Sequence, residues 1–244
     1  LSPEKRKVDF SIKFPARRSV KDLVESLGVP HTEIDVILVN GESVDFTYIA
    51  SENDRISVYP VFESLDVTHL SRLRDVPLRD TRFVLDVHLG KLTKYLRMLG
   101  FDCDYSIERN DTDLVRICTD EKRILLTRDR NLLKRGNITR AFCIHSTASE
   151  HQAAEVISRL DLAGSIKPFS RCMECNGLIA ALDPADIPDD APEGVKKWCN
   201  EYFRCTVCSR LYWKGSHADR MSERIERIIR MAIAAGEIKN DPGE

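Results

Sequence analysis

The sequence predicts an α/β protein: a largely parallel sheet in the middle of the chain, a smaller α+β unit before it and a compact cysteine-bearing module after it. Three observations carry this. Between residues 82 and 146 short apolar runs alternate with helical patterns, and strand–helix alternation gives a parallel sheet with right-handed crossovers. Residues 8–60 set one helix among strands that turn at an Asn-Gly pair. Two C-x-x-C pairs stand at 172–175 and 205–208.

The first unit begins with "VDFSIKF", residues 8–14, whose alternation predicts a half-buried strand. "RSVKDLVESLG" follows as a short helix, with Ser19 as N-cap, Val20, Leu23, Val24 and Leu27 as its apolar face and Gly28 as its stop. "DVILVNGESV" reads as two strands around Asn40-Gly41, and "DRISVYPVF" as a further strand. This order resembles the ubiquitin-like β-grasp fold of sulfur-carrier proteins. That fold opens with a hairpin before its helix. Only one strand precedes the helix here, so the chain is expected to start inside the domain. Sulfur carriers also end in Gly-Gly; this unit ends "VYPVFESLDV", so carrier chemistry is not expected. The unit is assigned to residues 1–62, and "ESLDVTHLSRLRDVPLRD" to a charged linker at 63–81.

In the central unit, "RFVLD" is a strand and "LGKLTKYLRMLG" a helix with Leu89, Leu92, Leu96 and Leu99 on its face. "FDCDYS" is the second strand, "DTDLVRICTDEK" the second helix and "RILLT" the third strand. "RNLLKR" is a short helix, "AFCIH" the fourth strand and "ASEHQAAEVISRL" the closing helix. This unit is assigned to 82–165. The cysteine module takes 166–218, with "ALDPADIPDDAPEG" as a Pro- and Asp-rich loop between its pairs. The remainder, 219–244, carries the amphipathic helix "ADRMSERIERIIRMAIAAG".

Composition narrows the class. With 42% hydrophobic and 31% charged residues the chain is globular. No apolar run approaches the ~20 residues that span a bilayer. The start, "LSPEKRKVDF", has no apolar core, so no signal peptide is expected. Residue 1 is Leu, so the natural N-terminus is expected upstream. Basic and acidic residues number 11 and 14 in 1–81, 13 and 9 in 82–146, and 13 and 16 in 147–244. The positive surplus in the middle suits a polyanionic partner there.

In an open α/β sheet, ligands bind beyond the carboxyl ends of the strands. Asp86 ends "FVLD", Asp129 follows "ILLT", and Asp111 opens the helix after the second strand. Three carboxylates meeting at one edge repel each other. A divalent cation relieves that repulsion, and all-oxygen ligands favour Mg²⁺ or Mn²⁺. Taken singly, each Asp also reads as a helix cap or turn closer, Asp111 as an N-cap above all. Arg128 and Arg130 flank Asp129 and are candidate phosphate contacts. So are Lys91 and Lys94, with Arg97, spaced three apart on one helix; a solvated helix face is the alternative. His88 is read as a turn residue.

"FVLDVHLGKLTKYLRMLGFDCDYS" and "DTDLVRICTDEKRILLTRDR" together resemble the Mut-seven C-terminal RNase family, a branch of the PIN-like nucleases, over roughly residues 82–220. The ubiquitin-like unit is often joined to that family. The resemblance implies a PIN-like parallel-sheet domain and a metal-dependent ribonuclease with Asp86, Asp111 and Asp129 as catalytic ligands. Many PIN domains add a Glu from a middle helix. The helix "GKLTKYLRMLG" carries none, so Asp113 or Asp102 is the candidate for a further ligand.

Cys172, Cys175, Cys205 and Cys208 have the spacing of two knuckles that share one tetrahedral Zn²⁺. Four protein ligands make such a site structural. "FRCTVCSRLYWKGSH" resembles a zinc-ribbon hairpin, with Tyr212 and Trp213 expected to pack its small core rather than stack on bases. Cys103, Cys118 and Cys143 fall on apolar positions and are expected to be buried.

The sequence therefore predicts a cytoplasmic Mg²⁺- or Mn²⁺-dependent ribonuclease with RNA as its partner, a structural zinc ribbon, no membrane association and an N-terminal domain available to a protein partner. A phosphatase with an Asp nucleophile would want a second Asp at position 88. A non-catalytic RNA-binding protein on the same fold is the remaining alternative.

Overall fold

The structure is a computed structural model that describes residues 8–14, 17–60, 81–134, 138, 140–183, 186–187, 199 and 201–240. In the first unit, helix α1 (Val20–Ser26) starts at Ser19, whose hydroxyl accepts the Asp22 N–H at 3.1 Å. Val20, Leu23 and Val24 bury its inner face against β1 (Ile34–Val39). β1 lies between β2 (Glu42–Val44) and β3 (Ile56–Pro60), antiparallel to both. Asn40 (φ 54°) and Gly41 (φ 90°) both sit in the left-handed region. A two-residue hairpin needs that, because its backbone twist must match the strands.

The strand expected at residues 8–14 does not form. Val8, Phe10 and Ile12 are 54%, 40% and 36% exposed, and only Phe14 packs against the domain core. Alternation yields a strand only where a neighbouring strand completes the ladder and a core covers one face. Among the described residues no strand pairs with this segment, and the core takes only Phe14. The linker reading at 63–81 and most of the Pro- and Asp-rich loop lie outside the described residues.

The central sheet has the order β5-β4-β6-β7, with β4 (Arg82–Leu85), β5 (Asp102–Asp104), β6 (Ile124–Thr127) and β7 (Ala141–Cys143) all parallel. Strand alternation divides its side chains between two cores. Phe83, Leu85, Leu126 and Phe142 face one; Val84, Leu125, Ala141 and Cys143 face the other. Helices α2 (Gly90–Met98) and α4 (Ser149–Arg159) pack on the first face, and α3 (Asp111–Asp120) on the second. Burying a Leu as completely as Leu85 or Leu125 is worth about 1.5–3 kcal/mol. "RNLLKR" gives a single 3-10 turn, Leu132–Lys134. The long C-terminal helix α5 (Ser216–Asn240) returns to the first face with Ile225, Ile228 and Ala232.

The third unit is an antiparallel sheet of β8 (Ile179–Leu182), β9 (Tyr202–Cys205) and β10 (Leu211–Trp213), with β9 in the middle. It is joined to the open side of β5. Asn176 Oδ1 accepts the Cys103 N–H at 3.0 Å, and the amide of Lys167 donates to the Leu99 carbonyl at 2.9 Å. Gly100 (φ +98°) stands at that junction. A Cβ there would run into the Lys167 carbonyl.

Chain connections leave β4 for β5 on one side, and the next strand, β6, falls on β4's other side. The order therefore reverses between β4 and β6. Such a switch point opens a crevice at the carboxyl edge.

Candidate functional site

Asp86 and Thr127 meet at that crevice. Asp86 is buried just past β4 and caps the 3-10 turn Val87–Leu89. Its Oδ2 accepts the Thr127 hydroxyl at 2.7 Å, and its Oδ1 accepts the His88 N–H at 3.4 Å. Thr127 closes β6 with no exposed surface. Its hydroxyl oxygen also accepts the Asp129 N–H at 2.9 Å. One buried hydroxyl thus fixes a carboxylate from one strand and the start of the loop that carries the second acid. Asp129 itself is exposed, and its Oδ1 accepts the Asn131 N–H at 2.7 Å, an Asx turn. His88 lies in the turn, as expected, with its ring exposed.

Asp111 is the first residue of α3 and is exposed. It is not the N-cap. Asn110 takes that place, its side chain accepting the Asp113 N–H at 3.0 Å. Helix α3 begins at the same sheet edge as Asp86, because it follows a parallel strand. The structure thus links Asp86 to Asp129 through Thr127 and leaves Asp111 on a separate element. Among the described residues the three carboxylates do not form a compact metal-sized group.

Asp102 stands at the other end of the sheet, at the start of β5. Arg123 reaches it at 2.7 Å, Asn176 at 2.9 Å and Arg171 at 3.4 Å. Burial raises its pKa, but Arg123, Asn176 and Arg171 outweigh that and hold the carboxyl below its usual range. Asp102 is therefore no further ligand for the carboxyl edge. Asp113 stays half-buried in the first turn of α3. On β5's own carboxyl end Asp104 is matched by Arg109 at 2.9 Å. Asp86 has neutral hydrogen-bond donors and no ion pair among the described residues.

Lys91, Arg128 and Arg130 are exposed. Lys94 Nζ pairs with Glu174 of the first cysteine knuckle at 3.0 Å. Arg97 does not join them. It is 5% exposed and donates to the carbonyls of Cys103 (3.1 and 2.7 Å), Met173 (3.1 Å) and Glu174 (2.7 Å). Three residues advance a helix by about 300°, so each step in the series falls about 60° short of a full turn. By its third member the series has rotated into the interface.

The four paired cysteines converge. Cys172 and Cys208 sulfurs are 3.7 Å apart, Cys175 and Cys205 sulfurs 3.3 Å, and all four lie within 4.8 Å of one another. A tetrathiolate zinc with Zn–S of ~2.3 Å separates its sulfurs by about 3.8 Å, so the group fits a metal ion such as zinc. A Cβ on Gly177 would stand 2.8 Å from the Cys205 sulfur, so this position needs glycine. Tyr212 Oη lies 3.0 Å from the Cys172 sulfur. Burial pushes the Cys172 thiol up, but this hydrogen bond and the knuckle N–H groups outweigh it and bring it to about 6. Burial and the neighbouring sulfurs push Cys175 up to about 12. Tyr212 thus packs into the knuckle. Cys103, Cys118 and Cys143 are buried, as expected.

Sequence reasoning missed Thr127 and the Asn176–Arg97 junction. The signal for Thr127 was present: a hydroxyl ends a strand that is otherwise Ile-Leu-Leu. Arg97 and Asn176 are 79 positions apart, and no local pattern joins them.

The family model described as the Mut7-C RNAse domain matches residues 81–225, more than half of the chain. The Mut7-C ubiquitin model matches residues 1–66. One family model thus spans both the parallel sheet and the cysteine module. No curated protein and no solved structure matches the chain. No helix among the described residues is long and apolar enough to cross a membrane.

Proposed function

We propose, from the premise that this chain belongs to the Mut7-C RNAse domain family, that it is a ribonuclease dependent on Mg²⁺ or Mn²⁺. The observation that carries this reading is Asp86, a buried carboxylate held at the switch point by the Thr127 hydroxyl. A buried charge without a cationic side chain is costly, and a metal ion supplies the missing charge. Oxygen donors alone suit Mg²⁺ or Mn²⁺. Asp86 would anchor the ion, and Asp129 and Asp111, which do not stand within one metal-sized group with it, would have to move to join it. When bound, it supplies Lewis acidity toward a phosphodiester and hydroxide from water near neutral pH.

The chain's own residues prepare the site. Thr127 orients Asp86 and fixes the turn that presents Asp129. Arg128, Arg130 and Lys91, all exposed, would take neighbouring phosphates of the RNA. Lys94 would do so only by leaving Glu174. The four-cysteine site would hold a structural Zn²⁺, since four protein ligands leave no open position. Thiols kept for a metal suit a reducing, cytoplasmic setting. The substrate is RNA, and the ubiquitin-like domain is an interaction module.

The test is cleavage of mixed RNA across a Mn²⁺ titration by wild type, Asp86→Asn and Asp129→Asn. Wild type should cut only with metal, and both variants should lose cleavage while staying folded. If wild type binds RNA but never cuts it, the non-catalytic reading replaces this one. Full activity in Asp129→Asn would reduce Asp129 to a turn residue.

A further inference from the structure

The two cysteine knuckles share a spacing but not their surroundings. The first, Cys172 to Cys175, is fastened to the parallel-sheet domain. Arg97 donates to the carbonyls of Met173 and Glu174, and Lys94 pairs with Glu174. Asn176, the residue after Cys175, hydrogen-bonds Cys103 and Asp102. The second knuckle, Cys205 to Cys208, stands open. Val207 at its tip is 70% exposed, and Ser209, the residue after Cys208, is exposed in the left-handed region at φ 58°. The four sulfurs differ accordingly. Cys172 and Cys205 are 0% and 1% exposed and Cys175 is half-buried, whereas Cys208 is the one exposed cysteine of the chain's eight. Hydrogen bonds follow the same order. The Cys172 sulfur has the Tyr212 hydroxyl at 3.0 Å, and the Cys205 sulfur accepts the amides of Val207 and Cys208 at 3.4 and 3.5 Å. Among the described residues the Cys208 sulfur meets no N–H or O–H donor; its neighbours are the other three sulfurs, with Cys172 at 3.7 Å.

We propose that Cys208 is a modification site: the sulfur through which the metal centre reacts with peroxides and other electrophiles, with loss of the metal as the result. This rests on the reading that the four cysteines hold zinc, and on nothing in the catalytic reading. In a metal site all four sulfurs are thiolates, so access and hydrogen bonding rank them, not protonation. A hydrogen bond draws charge from a thiolate and weakens it as a nucleophile, and burial keeps the reagent out. Cys208 has neither protection. With peroxide its thiolate attacks one oxygen: an S–O bond forms, the O–O bond breaks and hydroxide leaves. The sulfur is oxidised to a sulfenic acid and the peroxide is reduced. Three thiolates then leave one position of the tetrahedron open. The open knuckle can let go while Arg97 and Asn176 keep the first one on the sheet domain.

The experiment uses the zinc-loaded full chain. A substoichiometric pulse of N-ethylmaleimide is mapped by mass spectrometry on singly modified molecules. Cys208 should carry about tenfold more label than Cys172, Cys175 or Cys205. Under hydrogen peroxide, dimedone should trap a sulfenic acid at Cys208 first, and zinc reaching a chromogenic chelator should rise with it. Cys208→His keeps four ligands, since three cysteines and a histidine also hold structural zinc. It should retain zinc and yield it to peroxide about tenfold more slowly. The wild-type map needs no substitution and decides the question by itself. With zinc present, label falling first on another cysteine, or zinc leaving before Cys208 is modified, overturns this proposal alone. Purified chain without zinc overturns it together with the zinc reading.

Discussion

The Thr127 hydroxyl donates to Asp86 Oδ2 at 2.7 Å while it accepts the Asp129 N–H at 2.9 Å. One side-chain oxygen therefore sets both the carboxylate after β4 and the loop after β6. Thr127→Val keeps the shape and removes both bonds. The chain should still fold, because the side chain volume is unchanged. Groups that orient metal ligands typically change affinity or activity by ~10–100-fold when lost. The stabilisation of the protein by Mn²⁺ and its RNA cleavage should both fall by about that order. Thr127→Ser should recover most of each. Melting curves and cleavage rates across a Mn²⁺ series check this; equal metal response in Thr127→Val would leave the hydroxyl with no positioning role.

Zinc content follows from four sulfurs within 4.8 Å. Purified chain should carry about one zinc, since four thiolates complete one tetrahedral ion. Cys175→Ser should lose it and loosen the three-stranded cysteine module while the parallel sheet keeps its protection. Elemental analysis with amide exchange tests both halves. Metal-free wild type from a chelator-free preparation would refute the first.

Arg97 holds that module to α2 and β5 through four hydrogen bonds to three carbonyls. Lysine keeps the charge but lacks the planar fork. Arg97→Lys should therefore cost about 2–3 kcal/mol, because buried carbonyls lose their donors. Denaturant unfolding would show it. Zinc content should stay near one per chain, because the substitution touches no sulfur.

Asp102 supplies the pH prediction. Burial raises its pKa, and Arg123, Asn176 and Arg171 more than reverse that, so the folded value lies below the unfolded one. Its contribution is present above the unfolded value of about 3.9 and is lost as pH falls through the folded value. Asp102→Ala should destabilise the chain by about 2 kcal/mol at pH 7. Its deficit relative to wild type should shrink below about pH 4. A deficit that stays constant from pH 7 to pH 3 would mean the charge contributes nothing.

By itself the sequence determined what depends on local pattern. Strand–helix alternation gave the parallel sheet, because period-2 and period-3.6 apolar spacing bury different faces. Asn40-Gly41 dictated a hairpin, because both positions need positive φ. The spacing of Cys172, Cys175, Cys205 and Cys208 announced a single metal group, and their sulfurs do meet. Asp86 and Asp129 were legible as strand-end acids. Local pattern also misled. Residues 8–14 alternate like a strand yet lack one, and Arg97 shares a spacing with Lys91 and Lys94 yet is buried. Only the tertiary structure decided matters that depend on strand order and on contacts between distant segments. It set β4 beside β6, which brought Thr127 to Asp86. It sent Asp102 to the opposite edge and gave Asn110 the cap that Asp111 was read to hold. It also laid Glu33 on β7, 110 residues away. A side chain's chemistry can be read from its letter, but its partner is selected by burial, and burial belongs to the assembled chain.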